Sequence, residues 1–382
     1  MILYPRLNYS LSAGSCLTLL NPFNFANRSE PDLSRFFPGK KVFFYNHARS
    51  GLTQILSLFQ KGSVVGVQPF TCPTVLKAIK NAGCEICFVD INSSLIIDEE
   101  TIKLCLAKID ILVLTHTFGY VANVQKIKEM MNGKPLIEDC AHAFLSQSRN
   151  VYAGMTGDFA LFSFGFAKFP SAVAGGFVVV NNADYLNAFE KKYELTAVPD
   201  WVDGVKLRMM AIIQLILYST PFYGLFTSKQ IARRNQTYFQ NFVAEKIKLA
   251  YPFCLEIFQT ELRNIDHYLQ VQKKNADCII QSINKNKDIS FLQQSEDMNY
   301  FLLVVHTEKP EKLIQYAQRK GIELGRHFYK SKYFVNHFGY KKGSCPQYET
   351  LIEKIVTIPC HYHYSRRKIQ QICELINNYN NE

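Results

Sequence analysis

The sequence predicts an α/β protein in which a large domain built on a mainly parallel sheet precedes a smaller α+β domain. Three observations predict it. Short apolar runs alternate with amphipathic stretches between residues 42 and 194, the order of strands and helices in a parallel sheet. Several of those runs are apolar throughout, as strands covered on both faces are. From residue 247 onward longer helical stretches take over. With 382 residues and 48% apolar content the chain can bury two cores, and the two domains are expected at 1–246 and 247–382.

Residues 1–40 mix Pro, Asn and Ser with apolar residues and read as an irregular lead-in. Regular structure follows: a helix over 50–59, a strand over 64–67, and a helix over 73–81 with Pro73 in its first turn. A strand over 86–90, a helix over 99–107, a strand over 109–115 and a helix over 124–131 continue the alternation. Residues 135–138 and 159–164 are apolar runs bounded by turn-formers, and Gly175-Gly176 leads into a strand over 177–180 and a helix over 185–194. The tail carries a helix over 255–274, a strand over 300–306, and helices over 308–319 and 366–379.

One stretch breaks the pattern. Residues 209–226, within an insert at about 203–235, are dense in apolar and aromatic side chains, with Lys206 and Arg208 before them and Lys229, Arg233 and Arg234 after. The stretch is short for a membrane span and is interrupted by Gln214, Ser219, Thr220 and Pro221. A buried helical hairpin and an interfacial anchor with basic flanks both fit it. The anchor would place the protein at the inner face of a membrane.

The net charge of +11 favours anionic partners, yet no zinc-finger, RNP or helix-turn-helix signature accompanies it, which argues against nucleic acid. The first residues show no charged start followed by a long apolar run, and eleven scattered cysteines give no disulfide framework. A cytoplasmic protein with reduced thiols is expected. Cys84-Glu85-Ile86-Cys87 has metal-site spacing but no second ligand pair nearby, so it reads as core packing and no metal is expected.

The chemistry gathers at two strand ends. Asp139 closes the run 135–138, and Lys168 stands five residues past Ser163 at the end of the run 159–164. Ligands of open α/β sheets sit beyond the carboxyl ends of the strands, so this carboxylate and this amine would face one crevice. Such a pair suits pyridoxal 5'-phosphate: a Lys amine bonds the aldehyde and an Asp pairs with the ring nitrogen. Taken alone, each residue is as well explained as a surface cation or a helix cap.

Their context is more specific. The segment Ile137-Glu138-Asp139-Cys140-Ala141-His142-Ala143, then Gly157-Asp158, then Phe162-Ser163-Phe164 with Lys168, then Gly175-Gly176, resembles the DegT/DnrJ/EryC1/StrS family of pyridoxal-phosphate sugar aminotransferases. Val67-Gln68-Pro69-Phe70-Thr71-Cys72, Phe88-Val89-Asp90, His116-Thr117-Phe118-Gly119 and the closing run 351–360 extend the likeness from about residue 48 to the C-terminus.

The resemblance implies an aspartate-aminotransferase type of fold and a homodimer. It implies that Lys168 holds the cofactor and shuttles a proton, that Asp139 holds the ring nitrogen, and that Ala141 and Cys72 flank the two ring faces. His142 would lie near the phenolic oxygen, with Ser163 and the backbone of Arg49 and Ser50 on the phosphate. The last assignment also has a physical basis, since Ala48-Arg49-Ser50-Gly51 opens a helix whose first amides can receive an anion. The implied reaction moves an amino group from an amino acid, glutamate in the first instance, to a keto group of a nucleotide-linked sugar destined for surface polysaccharide or another glycoconjugate. Lys168 stands where the family's deoxygenating branch has His. Two other readings stay open: a non-catalytic, membrane-associated or regulatory relative, and a cofactor-dependent enzyme for a carrier-linked or non-sugar substrate.

Overall fold

The computed structural model describes residues 3–7, 9–21, 29–219, 222–227, 246–292 and 297–380. Its centre is a sheet of β1 (Lys41–Tyr45), β2 (Val64–Val67), β3 (Glu85–Phe88), β4 (Ile111–Thr115), β5 (Leu136–Asp139), β8 (Phe159–Ser163) and β9 (Gly176–Val180). A small hairpin of β6 (Gln147–Ser148) and β7 (Val151–Tyr152) lies between β5 and β8 in sequence. The spatial order is β1-β9-β8-β5-β4-β2-β3. Pairings from β3 through β2, β4 and β5 to β8 are parallel, and only β9 runs the other way, pairing antiparallel with β8 and with the edge strand β1. The mainly parallel sheet is therefore as the sequence predicts.

Burial on both faces explains the unbroken apolar runs. Along β4, Ile111 and Val113 join a core with Leu52, Ile55, Leu76 and Ile79, whereas Leu112 and Leu114 face a second core with Phe162, Phe177, Phe253 and Phe258. Successive side chains point to opposite faces, so a strand covered twice has no polar side. A third core, drawn from residues 276–379, surrounds the antiparallel sheet β10 (Ser290–Phe291), β11 (Leu303–His306) and β12 (Ile355–Ile358).

Several boundaries move, for physical reasons. The lead-in contains a helix, Ala13–Leu20, capped by Ser12, whose hydroxyl accepts from the Ser15 amide. Its amphipathic signal is spread over only two turns, too short to read. The strand expected at 86–90 ends at Phe88, because Asp90 turns away to accept from the Gln347 and Tyr348 amides (3.0 and 2.9 Å) at the start of helix Pro346–Lys354. The expected helix 255–274 is two helices, Pro252–Leu262 and Ile265–Ile283. The first packs into the large-sheet core through Phe253, Leu255, Ile257 and Phe258. The strand expected from residue 300 starts at Leu303, since Tyr300 takes a left-handed backbone (φ 51°) that extended chain does not tolerate. All eleven cysteines are free thiols.

Residues 209–226 resolve into the second half of a helix, Trp201–Tyr218, and a π-helical turn, Tyr223–Thr227. The helix packs on one side only. Gly204, Arg208 and Ala211 face inward, and Arg208 donates to the carbonyls of Thr18, Leu19 and Asn21 (3.0, 3.0 and 2.7 Å) while its guanidinium lies over Phe253. Arg208 is thus a buried clasp for the end of helix Ala13–Leu20, which corrects its expected place among cations facing lipid. Met209, Met210, Ile213 and Ile216 stand exposed on the outer side. Among the described residues no helix is long and apolar enough to cross a membrane. Thr220, Pro221, Lys229, Arg233 and Arg234 lie outside the described residues.

Candidate active site

The carboxyl ends of β5 and β8 and the N-terminal turn of helix Ala48–Leu56 meet in a cleft of about 650 Å³. Its walls include Arg49, Cys72, Asp139, Ala141, His142, Ser163 and Lys168. Seven of the eight residues singled out by sequence are therefore brought together. Ser50 is the exception: it is buried, its hydroxyl donates to Asn46 Oδ1 (2.8 Å), and its amide donates to the His47 carbonyl (3.1 Å). Neither polar group of Ser50 is directed to a ligand.

Lys168 is placed by a tight turn after β8. Ala167 takes a left-handed backbone (φ 62°) and the Lys168 amide donates back to the Gly165 carbonyl (3.1 Å). A non-glycine residue in that region costs roughly 1–2 kcal/mol, and such strain is often held at functional sites. The Lys168 ammonium lies 5.4 Å from the centroid of the Phe301 ring. Burial pushes its pKa down, and the nearby Cys72 and Asp139 only partly oppose this. The amine thus loses its proton, and becomes nucleophilic, below the range of a solvent lysine near about 10.4. Its reaction with an added aldehyde should accelerate with pH and level off below that value; a stopped-flow pH profile rising through it would contradict the lowered pKa.

Asp139 ends β5, and its Oδ1 accepts from the Ala141 amide at 3.1 Å. Burial pushes its carboxyl above the usual range, and the Ala141 amide, Lys168 and His116 pull it back only in part. The carboxylate thus lacks a full cationic partner, which a protonated ring nitrogen would supply. The rest of the donor set also fits pyridoxal phosphate. His47, Ala48 and Arg49 open a helix onto the cleft beside Ser163, a seat for a phosphate. Gly176 allows that seat to approach β9, because a Cβ there would lie 2.5 Å from the Ala48 nitrogen.

His142 is stacked on Phe301 (4.3 Å between centroids, 13°) and near-parallel to Phe118. Its Nδ1 accepts from the Phe118 amide at 3.4 Å. Burial, then Lys168 and His327, holds its pKa well below the ordinary value, so the ring is neutral with its proton on Nε2. Asn299 fixes this arrangement by donating to the His142 and Phe144 carbonyls (3.0 Å each) and accepting from the Phe301 amide (2.9 Å).

Behind the site lies a purely structural pair. Glu138 is fully buried and accepts from His116 Nε2 (2.8 Å) and from the amides of Gly154 (2.8 Å), Thr156 (2.9 Å) and Gly157 (2.6 Å). Burial alone would raise its pKa, but the bonds from His116, Gly157 and Gly154 outweigh it and hold it below the ordinary value. A carboxyl with a depressed folded pKa stabilises the fold above its unfolded pKa, and that stability is lost as pH falls through the folded one. Glu138→Ala should cost about 3–5 kcal/mol, since it strands the buried donors. Urea unfolding at neutral pH and at pH 3 measures both effects, and the difference between wild type and variant should shrink in acid.

These site residues occupy one continuous motif array, and the family profile for DegT/DnrJ/EryC1/StrS aminotransferases matches residues 24–377. The chain belongs to that family. It is 25% identical to GDP-perosamine synthase of Escherichia coli O157:H7 over 337 residues, covering 84% of this chain and 79% of that protein. It is 27% identical over 201 residues to UDP-4-amino-4,6-dideoxy-N-acetyl-β-L-altrosamine transaminase of Campylobacter jejuni, covering 49% of this chain and 53% of that protein. Among solved structures, E. coli GDP-4-keto-6-deoxy-D-mannose-3-dehydratase with bound hydrated PLP superposes with a TM-score of 0.75 at 17% identity, covering 98% of this chain and 100% of that one. That likeness shows the aminotransferase fold.

Sequence reasoning missed part of the cleft wall. Thr115 ends β4, and Arg6, Arg326, His327, Phe328 and Lys330 come from the lead-in and the tail. The segment 326–330 has the sequence RHFYK, in which charged and aromatic residues carry a signal that was not used; Arg6 carries none by itself.

Proposed function

We propose that this aminotransferase moves an amino group from an amino acid, glutamate in the first instance, to a keto group of a nucleotide-linked sugar, with pyridoxal phosphate held by Lys168 and Asp139. The meeting of a half-buried amine and a buried, under-compensated carboxylate in one cleft carries the reading. The names of two relatives, which carry a GDP-linked and a UDP-linked sugar, support the substrate class, and the bound PLP of the E. coli relative supports the cofactor.

When bound, the pyridoxal ring supplies an electron sink for the α-carbon of the donor. Lys168 would serve twice: its amine would hold the cofactor's aldehyde, and the same amine, once free, would be the base that moves the α-proton. Asp139 keeps the ring nitrogen protonated. Ala141 and Cys72 would border the ring, the neutral His142 would offer its Nε2 proton to it, and Ser163 with the Arg49 end of the helix would hold the phosphate. For the second substrate Lys168 returns the proton in the opposite sense. A homodimer and a use in surface polysaccharide or glycoconjugate synthesis belong to the same proposal. Purified protein given pyridoxal phosphate, L-glutamate and GDP- or UDP-linked 4-ketosugars should release 2-oxoglutarate and aminosugar. Failure with every ketosugar, with glutamate consumption intact, would shift the reading to a non-sugar acceptor.

A specific observation favours a second property of the chain. Met209, Met210, Ile213, Ile216, Phe222 and Leu225 are exposed apolar side chains on consecutive turns, with the exposed Lys206 beside them. We propose that this face, with Lys206 beside it, attaches the enzyme reversibly to an anionic membrane at the cytoplasmic side. Co-sedimentation with vesicles containing phosphatidylglycerol should decline as salt rises. Protein that stays in solution at low salt would end this reading.

A further inference from the structure

The lead-in delivers a cation to the cleft from the far end of the chain. Tyr4 forms a parallel bridge with Ile322: its amide donates to the Gly321 carbonyl (2.9 Å) and its carbonyl accepts from the Glu323 amide (3.0 Å). Tyr364 Oη donates to the Pro5 carbonyl (2.7 Å), and the Arg6 amide donates to Glu323 Oε2 (2.9 Å). Three successive residues are therefore pinned to the small domain, and the Arg6 side chain leaves them along one course.

That course ends in the cleft. Arg6 lines it together with Lys168, Arg326, His327 and Lys330. Its Cδ and Nη1 rest against Gly325, where an added Cβ would overlap both. Nη1 is shielded from solvent and has no hydrogen-bond partner among the described residues. The carboxylate of Glu323 accepts from the Arg6 amide and from Tyr223 Oη (2.7 Å), and not from the guanidinium. Among the described residues no ion pair of the guanidinium appears, whereas its neighbour Arg326 is paired with Glu311 and Glu353. The charge of Arg6 is felt by its neighbours: after burial, it is the next cause lowering the pKa of both His327 and Lys330, and it weakly opposes the raised pKa of Tyr218 and Tyr223.

A guanidinium held in place at a cleft wall, beside other cations and without a carboxylate, is arranged for an oxyanion that arrives from outside. The helix end at Arg49 already offers a phosphate seat, formed by residues 47–49 of another element of the cleft wall, so Arg6 is assigned to a different anion. Asp139 is the one carboxylate among the lining residues, and its partner is the ring nitrogen.

We propose that Arg6 is the anchor for a substrate oxyanion, a specificity-determining contact that the lead-in supplies to the active site. The chemistry is a carboxylate or phosphate group, which either substrate could bring: the carboxylates of the amino donor or the diphosphate of the nucleotide. The inference rests on the aminotransferase reading of the cleft for the identity of those substrates. The anion site itself depends on Arg6 and Gly325 alone.

Calorimetric titration of the holoenzyme with maleate, as a dicarboxylate that cannot react, and separately with GDP and UDP, tests it without turnover. Arg6→Gln should weaken one class of ligand by about tenfold to a hundredfold, the loss expected for a charged hydrogen bond. Arg6→Lys should recover part of it, and Gly325→Ala, which keeps the charge but displaces it, should reproduce the loss. A loss confined to maleate assigns the donor carboxylate, and a loss confined to the nucleotides assigns the diphosphate. Unchanged binding of all three in Arg6→Gln, or no binding by the wild type, overturns the proposal. The absorbance of bound pyridoxal phosphate reports separately on the aminotransferase reading: Arg6-dependent binding in a protein that captures no cofactor would sink that reading and leave the anion site standing.

Discussion

Lys168→Ala should abolish turnover and leave the fold at least as stable as before. The amine is both the anchor of the aldehyde and the base for the α-proton, so its removal takes two functions at once and the rate should fall by roughly 10⁴-fold or more. Stability behaves differently. Burial disfavours the charged form of this amine, Asp139 opposes that only in part, and among the described residues no ion pair repays the cost. A neutral methyl group removes the penalty, and the side chain borders an open cleft, so no closed cavity results. An unchanged or raised melting temperature beside lost activity is the expected pair of results. A collapsed melting temperature would mean that Lys168 works as a structural residue, and lost turnover would then say nothing about chemistry.

Asp139→Asn should keep the cofactor and lose most of the rate. The anchor on Lys168 remains, so the absorbance of bound aldehyde should persist. A neutral amide cannot hold the ring nitrogen protonated, and the electron sink weakens; a fall of roughly 10²- to 10⁴-fold is expected. Proton abstraction should suffer most, so replacing the α-hydrogen of the donor by deuterium should slow the variant more than the wild type. The buried Asp139 carboxyl is raised above its usual range, so its charge is a cost to the fold without its partner, and the amide should be neutral or slightly stabilising in the apoprotein. Full activity in this variant would require another acid at the ring nitrogen.

The sheet and most of the site are legible in the sequence because parallel strands write their burial as unbroken apolar runs, and their carboxyl ends mark the crevice. Asp139, Ser163 and Lys168 fall within thirty residues of one another in that pattern and meet in the cleft. What escaped detection depends on contacts far apart in the chain. Arg6 reaches the cleft only because Tyr4 bridges Ile322, and neither segment carries a periodicity that names the other. Asp90 ends its strand early to cap a helix more than 250 residues later. The helix Trp201–Tyr218 hid its inward face for a related reason. Its burial pattern is written partly by Arg208, a cation that sequence logic sends to solvent and that here satisfies three carbonyls.

The central claim is that one lysine carries the chemistry, and chemical reduction tests it most directly. Two other lysines compete for an aldehyde on physical grounds. Lys330 lines the same cleft, and Lys368, between the rings of Tyr4 and Tyr364 (4.0 and 3.7 Å), has an amine pushed down to about 7 by burial. A low pKa alone would favour Lys368. The site geometry favours Lys168: Lys368 does not line the cleft, and of the two cleft lysines it is Lys168 whose amine feels the charge of Asp139, whereas Lys330 feels that of Arg6. Borohydride reduction of the protein loaded with pyridoxal phosphate, followed by peptide mapping, should place a single pyridoxyl mass on Lys168. A principal label on Lys330, Lys368 or any other lysine contradicts the account.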